Sequence, residues 1–159
     1  MDSDLWELSR TIFSFPAIDN HAHALLCEES RNALPFEGLI TEAQGSRALT
    51  QDAVLTMACF RATSQLAKLF GLGPHADWEA VKAFRQSLPY DRLCRMCFEP
   101  TRIQCILLDD GLGGDDRERL KDYRWHDQFT GSPTKRIVRV EVVAEVRAAP
   151  DRWVLAYLA

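Results

Sequence analysis

Two stretches of strand character, separated by a long run of helical periodicity, constrain the fold of this chain more than any other feature. From Ala17 to Leu25 the hydropathy alternates with period two, the signature of a strand. Residues Ile103 to Leu108 form a short apolar run between Pro100 and the Asp109-Asp110-Gly111 turn, which suits a strand buried on both faces. Strands joined through helices pair in parallel, because parallel neighbours need a crossover connection. A third run, Arg136 to Val143, is alternating and rich in β-branched residues, so the expected class is α/β with about three parallel strands.

The helical elements announce themselves through their caps. Asp4-x-x-Glu7 resembles a capping box ahead of Leu5, Leu8 and Ile12, and Pro16 stops the helix. Thr50 is placed to cap a helix carrying Val54, Leu55, Leu66, Leu69 and Phe70, with Gly71 at its left-handed end. Asp77 caps the next, with Trp78, Val81, Phe84 and Leu88 on one side, and a further helix starts at Pro89 or Tyr90. A helical insertion between the first and second strands is the expectation.

Composition narrows the class of partner. The 159 residues carry a net charge of −4 with no clustered Lys/Arg stretch, which argues against nucleic acid or an anionic membrane surface. An acidic amino terminus and the absence of a long apolar run point to a cytoplasmic protein. The cysteine count, 5, is odd and irregularly spaced, so reduced thiols are expected, and Cys94-x-x-Cys97 falls on a helical pattern as core cysteines.

Chemistry concentrates at the strand ends. Asp19, His21 and His23 lie at i, i+2 and i+4 of a strand, so all three project from one face, and two imidazoles so placed can tilt onto one divalent ion. Asp109 ends the second strand, although Asp109-Asp110-Gly111 is also a plain turn signal. In the third run Val138, Val140 and Val142 share one face, while Arg139 and Glu141 share the other with Ile137. That charged face reads either as a solvated edge or Arg/Glu pair, or as Glu141 facing the cavity of the two histidines. Trp125-His126-Asp127 reads as a packed aromatic with a solvated His-Asp pair or as a substrate contact.

The segments Ile18–His23, Ile40–Ala43, Leu107–Gly111, Trp125–Asp127 and Arg136–Glu141, in that order, resemble the amidohydrolase superfamily. The resemblance is closer to the amidohydrolase-like amino-terminal region of fungal FluG-type, glutamine synthetase-like proteins, and it spans roughly residues 5–146. It implies that residues 1–146 are part of a (β/α)8 TIM barrel and that 147–159 form a divergent tail. A full barrel takes about 250 residues, so only a fragment is present. The resemblance also implies metal-activated water attacking an amide or similar C–N bond of a small-molecule substrate. His21 and His23 would hold the metal, zinc by expectation, with Asp19 supporting an imidazole. Asp109 and Glu141 would be catalytic carboxylates, and Glu42 and His126 would touch substrate. The alternative is a non-catalytic interaction or oligomerising fragment of a FluG-like developmental or nitrogen-metabolism protein, pairing through an open sheet edge with a second copy or a full-length relative.

Overall fold

The computed structural model describes residues 3–109, 117–141 and 143–144. The chain divides into two compact units: one holds the residues up to Leu26 and those from Arg102 onward, and the other is Cys27–Thr101.

The first unit carries the sheet. Strands β1 (Ala17–His23), β2 (Ile103–Asp109) and β3 (Lys135–Arg136) pair in parallel in the order β1-β2-β3. The fold class expected from the strand and helix pattern is therefore present as a mixed α/β arrangement. A barrel is not shown: the described strands form an open sheet with β1 and β3 at its edges. The apolar run of β2 is central, with Ile106 2% and Leu108 0% exposed, as a parallel strand covered on both faces requires. Its pairing with β1 sets Asp19 opposite Ile106 and His23 opposite Asp109, and the register shifts between Ala17 and Ile18 and again between Asp19 and Ala22. Arg102 enters β2 with φ 54, its carbonyl accepting from Ala17 N at 3.1 Å and its guanidinium donating to the Phe13 carbonyl at 2.6 Å. Those contacts hold a backbone conformation that costs an L-residue about 1 kcal/mol.

Two expectations need correction here. Helix α1 (Ser3–Ser14) forms with Asp4 inside its first turn and not as its cap, and Leu5, Leu8 and Ile12 are 61%, 55% and 61% exposed, so its apolar stripe is left open. The strand expected over Arg136–Val143 contracts to the two residues of β3. Val143 N donates to the Arg139 carbonyl at 3.2 Å, a helical-type turn, and Val138 and Val140 are 65% and 75% exposed. Valine favours strands through packing against neighbours on a sheet face, and without that packing its propensity decides little.

The second unit has its own core. Helices α2 (Met57–Phe70), α3 (Trp78–Ser87) and α4 (Tyr90–Phe98) bury Cys59, Ala67, Phe70, Trp78, Val81, Leu88 and Leu93 against one another. Asp77 caps α3 as expected, accepting from Ala80 N at 2.8 Å. The cap of α2 is Thr56 rather than Thr50. Thr56 is extended and accepts from Cys59 N at 3.2 Å, whereas the Thr50 hydroxyl donates to the Ser46 carbonyl within the preceding turn. Gly71 ends α2 at φ 68, and Leu72 N returns to the Ala67 carbonyl at 2.8 Å. Cys94 is buried and Cys97 half-buried, both as free thiols, and burial pushes the Cys97 thiol up. No helix among the described residues is long and apolar enough to cross a membrane.

Candidate functional site

The chemistry-bearing residues of the first unit meet where β1 and β2 end. Asp109, 4% exposed, is the hub. His21 Nε2 lies 3.2 Å from Asp109 Oδ2, joining two strands that the register already sets side by side. Arg139 grips the same carboxylate, with Nε 3.1 Å from Oδ1 and 3.0 Å from Oδ2, and Nη2 2.6 Å from Oδ2. A short, multidentate guanidinium contact of this kind compensates the burial of a carboxylate.

His23 sits beside His21 with ring centroids 5.2 Å apart and planes tilted by 47°. Asp19 does not support an imidazole as expected: its Oδ1 accepts from the backbone N–H of His21 at 3.2 Å, a local turn-like contact. Glu141 shows no contact with the histidines among the described residues. Its side chain is 63% exposed, and its nearest charged partner is Arg139 Nη1 at 3.9 Å, an ion pair at the limit of contact.

His126 has a different role from the substrate contact weighed in the sequence. It lies in the 3-10 segment Tyr123–Phe129 and is 1% exposed. Leu25 N donates to its Nε2 at 3.2 Å, so that nitrogen is an acceptor. Nδ1 then carries the proton, facing the carbonyls of Asp122 at 3.1 Å and Tyr123 at 3.2 Å. Burial lowers the pKa of this imidazole against the pull of those carbonyls, which favours the neutral ring the contacts require. Next to it, Asp127 Oδ1 accepts from Thr134 N at 2.7 Å, and that bond holds its carboxyl below the usual range. Both side chains tie chain segments together.

Glu42 belongs to the second unit and is exposed. In that unit the buried carboxylate is Glu37, 3% exposed, which accepts from Lys82 Nζ at 2.7 Å and from the Trp78 indole at 3.0 Å. Burial works against the ionised form, but the Lys82 ammonium and the indole outweigh it and hold the carboxyl below its ordinary value. Glu37 borders a cavity of about 380 Å³ that Phe36, Lys82 and Arg85 also line. Lys82 pairs with Glu37, and Arg85 donates to Asn32 Oδ1 and to the Arg31 carbonyl, so these cations hold protein groups together.

The residues do not fit the zinc ion the resemblance implied. A hydrolytic zinc takes three protein ligands and an open position, and among the described residues no three His, Cys, Asp or Glu side chains converge in that way. The Arg139 guanidinium occupies the place beside Asp109 that a cation would need. Arg139 is the site residue that sequence reasoning did not assign. Its signal was visible as a charged residue among valines, but its partner is 30 positions away.

The comparisons with known proteins point the same way. No family model matches the chain, the amidohydrolase superfamily included, and no solved structure matches it. The chain is 43% identical over 146 residues to protein FluG of Emericella nidulans, across 88% of this chain and 16% of that protein. It thus spans about a sixth of the length of the curated relative it matches. The amidohydrolase assignment and the hydrolase function drawn from it are overturned; similarity to a FluG protein is what the comparisons give.

Proposed function

We propose that this chain is a non-catalytic, FluG-like association module that binds protein through the apolar surface of α1 and β1. The observation that carries the reading is the exposure of Leu5, Trp6, Leu8, Ile12, Phe13, Phe15 and Ile18, each at least 55% accessible within one unit. Side chains of this size exposed to that degree offer on the order of 700 Å² together, above the few hundred Å² that soluble monomers ordinarily leave open. It is also close to the roughly 800 Å² per partner of a standard protein interface. The similarity to a stretch of FluG supports a module of a FluG-like protein, and the arginine-latched Asp109 supports a structural use of the strand ends. The free cysteines support a cytoplasmic location.

Light scattering after size exclusion tests the reading. The wild-type chain is expected above its 18.1 kDa monomer mass. Ile12→Glu combined with Phe15→Glu is expected to return it to that mass with unchanged circular dichroism, since both side chains are exposed. A wild-type monomer at every concentration overturns the proposal.

A further inference from the structure

Resting on the association reading, we infer that the partner is a second copy of this chain, added antiparallel along the outer edge of β1 about a two-fold axis at Asn20. Strand β1 pairs only with β2 among the described residues, so its other edge presents backbone donors and acceptors. No lysine or proline lies within Ala17–His23 to discourage pairing. Where the β1–β2 ladder shifts, between Asp19 and Ala22, Asn20 and His21 have no register partner on β2.

The residue order of β1 is self-complementary about Asn20. In a two-fold antiparallel pair each residue meets the one equally far from the axis on the other side. Asp19 then meets His21 of the second copy, which sets a carboxylate beside an imidazole and not beside a like charge, and this contact occurs twice. Ile18, 64% exposed, meets Ala22, a small residue that leaves room for the branched side chain. Asn20 is exposed and meets itself, and an amide carries both donor and acceptor, so two copies satisfy each other. A pairing centred on Asp19 or His21 would instead set like groups against each other. The open apolar stripe of α1 and Phe15, leading into β1, adds the area that the strand edge alone lacks.

Disulfide trapping tests the register. Directly opposed residues of an antiparallel pair have Cα atoms about 4.5–5.5 Å apart, within reach of a disulfide. Asn20→Cys under mild oxidant is expected to run on a non-reducing gel at twice the 18.1 kDa monomer mass. Asp19→Cys is expected to cross-link at least about fivefold more slowly, because copies of position 19 lie about 8 Å apart, beyond the roughly 7 Å limit. Asp19→Lys is expected to raise the dimer dissociation constant about tenfold. If scattering shows a dimer but Asn20→Cys cross-links no faster than Asp19→Cys, the β1 pairing is wrong and the association reading survives. A monomer at all concentrations overturns both.

Discussion

His126 has both ring nitrogens committed to backbone groups, and this makes it a source of acid sensitivity. Protonating Nε2 would set its N–H against the Leu25 N–H, and burial already holds the folded pKa below the ordinary 6.5. The unfolded chain therefore binds a proton that the folded chain refuses. The stabilisation is fully present above about pH 6.5 and is lost as pH falls from there toward the folded value. Urea midpoints measured from pH 8 to pH 5 should fall over that interval. His126→Phe should flatten that part of the profile while costing about 1–3 kcal/mol at pH 8, since Leu25 N is left without its acceptor. A profile unchanged by His126→Phe would refute the assignment. Arg139→Met should cost about 3 kcal/mol in the same assay, because it leaves the buried Asp109 carboxylate without its cation. At this scale, sequence reasoning found the titratable residues but not their uses. His126 and Leu25 are separated by 101 positions, and nothing in either neighbourhood marks them as partners.

Secondary-structure elements were legible where their signals are local. Asp77 and Gly71 mark helix ends by hydrogen bonds and backbone angles spanning only a few residues, and both are where the caps fall. Asp77→Ala should cost about 1 kcal/mol, the value of one N-cap bond. Gly71→Ala should cost a similar ~1 kcal/mol for a different reason. A Cβ there meets nothing within 4 Å, so the penalty comes from φ 68 and not from a clash. Gly71→Asn, which tolerates that angle better, should recover part of the loss in thermal unfolding. Equal stability for Gly71→Ala and wild type would contradict the left-handed assignment. The third strand failed for the complementary reason. Whether Val138 and Val140 extend a ladder depends on a covering layer, which no local pattern reports, and both stand exposed. Thr50 and Thr56 show the same limit on a smaller scale: each precedes a helical run, and only backbone conformation at the site decides which one caps it.

Across the whole molecule, the helical segment between the first two strands was legible because its periodicity is continuous, whereas the number of sheet neighbours depends on chain segments far apart. The same contrast predicts how the two units behave. The first unit is discontinuous, assembled from residues before Cys27 and after Thr101. Its central pairing of β1 with β2 forms only when the chain returns at Arg102, and such long-range pairing carries the entropy of a closed loop. Cys27–Thr101 is continuous, its helices α2 and α3 carry their own side-chain caps, and it buries Val81 completely and Trp78 and Phe70 nearly so. Residues 27–101 expressed alone should therefore show a helical circular dichroism spectrum and a single urea transition. Val81→Ala should lower that stability by about 2 kcal/mol, through two lost methyl groups and the cavity they leave. Glu37→Gln should weaken it too, by removing the carboxylate that Lys82 and Trp78 grip, with the deficit shrinking as pH drops. The wild-type Glu37 contribution is complete above its ordinary 4.5 and disappears as pH falls through the lower folded value, so the two proteins should converge in acid. A piece without a cooperative transition, or a Glu37→Gln deficit independent of pH, would show that these contacts do not stabilise the unit.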